Sequence, residues 1–242
     1  MLADINLIIG NILIRNPVTA YLMKKIKYLK YHNLLIKNEN LEEHIFGSVL
    51  FKFYEKAEIF FLKKYFKPIT TIDVGSGLGI TSGILNKKYQ ENDFLSILVE
   101  ANKKNYIFSK NLFKLNKINK NIQFLNYVFI GSSKKNFIFD IRNTLDSKIK
   151  LSKKKDDQIK SIKFDLIKKK YKFKNFQIIF DIEGEEFNFN KNLLKELKYC
   201  ERAIIEIHTR SKIKQNKFIK RLRKYSNLRL KEKKNFTFYF EK

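Results

Sequence analysis

Tryptophan is absent from this chain, cysteine occurs once, proline twice and glycine eight times in 242 residues. The lone Cys200 excludes an intramolecular disulfide and any zinc site built from several cysteines, and it fits a reducing compartment. Arginine is scarce as well: seven of the 51 basic residues are Arg, and the rest are Lys. The formal charge of +27 points at first sight to nucleic acid. Dedicated nucleic-acid sites favour Arg forks, however, which match guanine edges and phosphates. Lys, Asn, Ile, Phe and Tyr are all abundant and all have A/T-rich codons, so drift in composition explains the charge more simply than a selected phosphate site. The start of the chain lacks the basic segment of a signal peptide, and the apolar run over 5–14 is too short to span a bilayer. The expectation is a cytoplasmic protein without a transmembrane segment.

What is present is ample apolar material, with 23 Phe and 12 Tyr, enough for a sizeable core. Residues 1–45 read as helical, with Tyr21, Leu22, Ile26 and Leu29 at three-to-four spacing and Pro17 suited to a helix start. A second helical pattern covers 48–66 and stops at Pro68. Strands and helices then alternate. Ile69 to Val74, Phe94 to Val99 and Ile122 to Phe124 read as strands, with helices over 79–88 and 104–115 between them. Residues 132–175 are the least regular, with Lys-rich loops at 132–136 and 152–157 and short strands at 137–139 and 162–164. Phe176 to Ile182 and Ala203 to Ile207 are continuous apolar runs that suit strands buried on both faces. A helix over 213–225 follows, and 228–230 with 236–240 reads as a terminal antiparallel hairpin. The expected fold is α/β: a doubly wound, mostly parallel seven-stranded sheet with a C-terminal antiparallel strand. Residues 1–47 are expected to form an N-terminal helical extension, and 48–242 the main domain.

Four of the eight glycines, Gly75, Gly77, Gly79 and Gly83, crowd into one stretch after Thr71-Ile72-Asp73-Val74. Such crowding marks a strand-to-helix turn where backbone approaches a ligand closely. The spacing differs from the dinucleotide pattern, and the Lys-Ser/Thr of a Walker loop is missing. Asp73 before the turn would repel a pyrophosphate but suits a cation. Glu100 closes the next strand, where a carboxylate can accept ribose hydroxyls. Together these favour S-adenosylmethionine (SAM), which carries a sulfonium and an ammonium and no phosphate.

Over roughly 50–210 the chain resembles the FkbM family of SAM-dependent methyltransferases. The likeness rests on Tyr54-Glu55, on Asp73-Val74-Gly75-Ser76-Gly77-Leu78-Gly79 and on Val99-Glu100-Ala101-Asn102. Asn105, Asn111 and Asn116 continue it, followed by Asn126 to Gly131, the 162–166 element, Asp181-Ile182-Glu183-Gly184 and Glu206-Ile207-His208. Departures from the family pattern are Ser76-Gly77 for Ala-Asn, Ala101-Asn102 for a proline-containing turn, and Ile179 for a Lys. The resemblance implies the class I methyltransferase fold. It implies SAM held by Glu55, Asp73, Gly75, Gly77, Gly79, Glu100, Ala101, Asn126, Tyr127 and Asp181. It also implies a hydroxyl acceptor on a sugar, glycan or other small molecule.

Asp181, Glu183 and His208 are the candidate catalytic residues. A carboxylate or imidazole there can position the acceptor or take its proton. His208 could alternatively join Asp181 and Glu183 around a divalent metal, but no metal is expected. Base N-methylation by Asn/Asp-Pro-Pro-Tyr/Phe is excluded, since Pro17 and Pro68 are the only prolines. A ribose 2′-O enzyme using Lys-Asp-Lys-Glu with Asp181 and Glu206 stays open, as does a non-catalytic scaffold of the same fold.

Overall fold

A computed structural model describes residues 16–39, 41–131, 138–141, 147–150 and 160–242. The apolar run over 5–14 and the Lys-rich stretches 132–136 and 152–157 lie outside the described residues. Helix α1 (Pro17–Lys25) is capped by Asn16, which accepts the Thr19 amide at 2.8 Å, and Pro17 fills the first turn, where no amide is needed.

Strands β1 (Tyr28–Tyr31) and β2 (Leu34–Lys37) then pair antiparallel, which corrects the helical reading of 1–45 over this stretch. The physical reason is the period. Leu29, Tyr31, Leu34 and Ile36 are buried while the residues between them face outward, and His32 turns the chain with a φ of 52°. The helix read over 48–66 is also two helices, α2 (Glu43–Leu50) and α3 (Lys56–Tyr65). The break falls at Lys52 and Glu55, both with left-handed backbone (φ 61° and 42°).

From β3 (Thr71–Val74) onward the expected alternation is present. It runs through α4 (Ile80–Lys88), β4 (Ser96–Val99), α5 (Lys103–Leu115), β5 (Ile122–Leu125) and β6 (Val128–Phe129). Strands β7 (Ile138–Ile141) and β8 (Ser147–Lys150) form a separate antiparallel pair, and β9 (Ser161–Ile162) pairs with β6. Next come α6 (Phe164–Tyr171), β10 (Phe176–Phe180), α7 (Lys191–Glu196), β11 (Cys200–Glu206), α8 (Lys212–Ser226), β12 (Arg229–Lys234) and β13 (Thr237–Glu241).

The main sheet has seven strands in the order β12-β13-β11-β10-β3-β4-β5. Neighbours from β11 to β5 are parallel, and β13 is antiparallel to both β11 and β12. This is the doubly wound sheet with a C-terminal antiparallel strand that the sequence suggested. Side chains of β10 alternate between two cores. Ile178 and Phe180 join the core under α6, α7 and α8; Ile179 joins the core under α2, α3, α4 and α5. The β1–β2 hairpin belongs to the second core, with Tyr31, Leu34 and Ile36 beside Ile80, Ile84 and Tyr239.

Candidate active site

In a sheet of this kind the chain leaves β3 toward one edge and β10 toward the other, which opens a crevice at their C-terminal ends. The parallel register brings the candidate residues to that line. Asp73 sits opposite Leu98 and Ile179, the Gly75 amide donates to the Val99 carbonyl (2.9 Å), and the Asp181 amide donates to the Val74 carbonyl (3.0 Å). The ends of β3, β4 and β10 are therefore bound to one another before any side chain is considered.

The glycine turn is tight because backbone and side chains stand close to each glycine. Gly75 has a φ of +79°, and a Cβ there would stand 1.7 Å from the Asp181 carbonyl oxygen. Gly77 (φ +51°) donates its amide to Glu100 Oε2 at 2.8 Å, and the Tyr54 hydroxyl stands over it. Gly79 (φ +72°) opens α4. Within the turn the Ser76 hydroxyl is buried without a hydrogen-bond partner.

Carboxylates wall the crevice. Asp73 is buried and accepts the Ser82 hydroxyl at 2.6 Å; burial pushes its pKa up to about 6. Glu100 is buried and accepts the amides of Gly77 and Asn102; burial pushes its pKa up to about 7, against the pull of those amides. Glu55, at the start of α3, accepts the Thr81 hydroxyl, and burial pushes its pKa up to about 8. Asn126 donates its side-chain amide to the carbonyls of Glu100 (2.9 Å) and Ala101 (3.0 Å), so it ties β5 to the turn after β4. Tyr127 is half-buried against the first core.

At the ends of β10 and β11 a second group converges on His208. Its Nε2 lies 3.4 Å from Asp181 Oδ1, 3.5 Å from Glu183 Oε2 and 3.9 Å from Glu206 Oε1. Its Nδ1 lies 3.7 Å from Glu186 Oε1, which also accepts the His208 amide at 2.7 Å. Burial and then the charges of Glu206 and Glu183 raise the Asp181 pKa well above its ordinary value. Burial pushes Glu206 up to about 7. Burial alone would lower His208, but Glu186, Glu206 and Glu183 outweigh it and raise it.

The structure thus brings Asp181, Glu183 and His208 together, and places Glu55, Asp73, Gly75, Gly77, Gly79, Glu100 and Ala101 around the turns that follow β3 and β4. Two acids of the site, Glu58 and Glu186, were not among the expected site residues, and Glu206 was expected only for the ribose 2′-O alternative. Glu58 is buried one turn after Glu55, accepts the Thr237 hydroxyl and raises the pKa of Asp181. The spacing of Glu55 and Glu58 on one helical face was the available signal. Eight of the chain's 24 acids (Glu55, Glu58, Asp73, Glu100, Asp181, Glu183, Glu186, Glu206) gather here in a chain of net charge +27. Among the described residues, His208 is the only ion-pair partner of Asp181 and Glu206.

No protein-family model matches the chain, and no curated protein matches it. Solved structures similar to it include an FkbM methyltransferase from Methylobacillus flagellatus KT, 14% identical, with a TM-score of 0.48, over 93% of this chain and 58% of that one. The METTL16 methyltransferase domain is 13% identical, with a TM-score of 0.46, over 92% of this chain and 76% of that domain. The mitomycin 7-O-methyltransferase MmcR is 10% identical, with a TM-score of 0.44, over 84% of this chain and 57% of that enzyme. The chain thus spans less than two thirds of the first and third of these proteins. The likeness is one of chain path.

Proposed function

We propose that this chain is a SAM-dependent methyltransferase acting on a hydroxyl of a small molecule, a sugar or glycan foremost. One observation carries the reading. The glycine turn lies at the switch point of a doubly wound sheet, and the crevice it opens is walled by carboxylates. A nucleotide's phosphates would oppose ionisation of Asp73, Glu55 and Glu100 still further, whereas a sulfonium and an ammonium favour their charged form. The buried, unpartnered Ser76 hydroxyl offers a further polar contact in the same turn.

When bound, SAM supplies an activated methyl group: the carbon–sulfur electron pair stays on sulfur, a carbon–oxygen bond forms, and the acceptor's proton leaves. The residues do the rest. Glu100 keeps lone pairs beyond those taken by the Gly77 and Asn102 amides and can accept ribose hydroxyls. Gly75, Gly77 and Gly79 admit the methionine portion to the backbone, and Asp73, braced by Ser82, faces its ammonium. Glu55, Ala101, Asn126 and Tyr127 complete that half of the wall. Asp181, Glu183 and His208 align the acceptor and receive its proton, which is the main protein task in an in-line displacement. A Lys-Asp-Lys-Glu ribose enzyme is less well supported, because Asp181 and Glu206 pair with His208 and not with lysine among the described residues.

Titration calorimetry with SAM tests the reading. The parent chain is expected to bind SAM, and Glu100→Gln to bind it about tenfold or more weakly, the loss of one charge-assisted contact. Absence of SAM binding, or equal affinity in Glu100→Gln, would sink it. Methyl transfer to RNA but not to hydroxylated small molecules would replace the acceptor class.

A further inference from the structure

We propose that Asp181, Glu206 and His208 form a divalent-metal site at the ends of β10 and β11, with Glu186 orienting the histidine. The backbone prepares the site. The β10–β11 register ends at Phe180 opposite Ile205, so the next residues, Asp181 and Glu206, stand side by side. His208 follows Glu206 by two and continues on the same side of an extended chain. One ligand atom from each of Asp181, Glu206 and His208 lies within 4.8 Å of the other two.

The spacing is wrong for hydrogen bonds and right for a shared cation. Nε2 stands 3.4, 3.5 and 3.9 Å from its three carboxylate neighbours, beyond the ~2.7–3.2 Å of an N–H···O contact. A metal with bonds of about 2.1 Å in tetrahedral array separates its ligands by about 3.4 Å. The other side of the ring points the same way. Glu186 is fully buried, takes the His208 amide at 2.7 Å and stands 3.7 Å from Nδ1, beyond hydrogen-bond distance, so that Nδ1 and the Glu186 Oε2 are both buried without a hydrogen-bond partner. A small movement of the ring would bring Nδ1 onto Glu186, the usual support of a metal-bound histidine, and leave Nε2 as the ligand. Asp181 Oδ1 is likewise buried without a hydrogen-bond partner. Loss of the Nε2 proton would aim its lone pair at three carboxylates, and a divalent ion in that proton's place removes the conflict. Two carboxylates and one imidazole suit Mn²⁺, Zn²⁺ or Mg²⁺, and three protein ligands leave positions open.

Metal binding stands on this geometry alone. Its use, holding the acceptor oxygen and easing loss of its proton, rests on the methyltransferase reading. The test takes the full chain, stripped with a chelator, and titrates Mn²⁺ while following the free-ion signal by electron paramagnetic resonance. The expected result is one Mn²⁺ per chain, with affinity lower by about tenfold or more in both Glu206→Gln and His208→Ala. Folding of each variant is checked by circular dichroism, and Glu206→Gln, which keeps size and removes only charge, carries the conclusion if His208→Ala is unstable. If the parent binds neither Mn²⁺ nor Zn²⁺ at millimolar concentration, or binds them as well with Glu206→Gln, the cluster holds a proton on His208 and the proposal fails. SAM calorimetry on the same stripped chain separates the two readings: a chain that binds SAM but takes up no added metal overturns only the metal site, and one that takes up metal but does not bind SAM overturns only the methyltransferase.

Discussion

Gly75 shows how one residue type can be forced by two independent causes. Its φ of +79° disfavours any side chain, and the Asp181 carbonyl occupies the place of its Cβ. Gly184 separates the causes, because its φ is +97° but nothing lies within 4 Å of its Cβ position. Gly184→Ala is therefore expected to cost about 1–2 kcal/mol, the left-handed penalty alone. Gly75→Ala adds an overpacking cost of about 1–3 kcal/mol and pushes β3 from β10. Denaturant titration of the two variants decides it, and equal losses would show that the close approach is relieved at no cost. Gly75 and Asp73 were legible because glycine is rare elsewhere and an acid ends an apolar run. Glu58 and Glu186 were not, because their partners Thr237 and His208 are 179 and 22 residues away and only the sheet brings them near.

Among elements, the β1–β2 hairpin changes what the chain before the sheet does. It packs against α4 and α5 and is clamped by Asn116 at the end of α5. That side chain accepts the Leu35 amide at 2.7 Å and donates to the Leu35 carbonyl at 2.8 Å, the exchange a neighbouring strand would make. Asn116→Ala removes both contacts and leaves part-buried backbone groups unpaired. The expected cost is about 1–3 kcal/mol. Hydrogen exchange should show faster exchange at Leu35 with little change in β3, β10 and β11; unchanged protection of the Leu35 amide would refute the clamp. Three-to-four spacing over 21–29 hid this hairpin, because Leu29 and Tyr31 fit a period of two as well as the start of a helical one. The main strands were easier. β10 and β11 are apolar on both faces, and a short doubly buried run has few readings other than a central strand.

For the whole molecule, the separation of charge is the governing feature. The chain carries a large lysine excess while a third of its acids gather in one cluster, and among the described residues no helix is long and apolar enough to cross a membrane. Folding raises the pKa of Asp73 to about 6, of Glu100 to about 7 and of Glu55 to about 8, from ordinary values of 3.8, 4.5 and 4.5. Between about pH 4 and 8 the folded state thus holds more protons than the unfolded one, so stability falls as pH rises. Unliganded protein is expected to have a higher Tm near pH 5 than near pH 8, and the rise in Tm given by SAM is expected to grow over the same range. A flat or rising profile without ligand, measured by thermal scans, would contradict the acid-lined crevice. The order of apolar runs, the glycine turn and the acids ending β3, β4 and β10 were determined by the sequence alone, because each depends on neighbours in the chain. The convergence of β10 and β11 on His208, the burial of Glu58 and Glu186 and the hairpin were decided by tertiary structure. Their partners are distant in sequence, and only strand order and register set the distance between them.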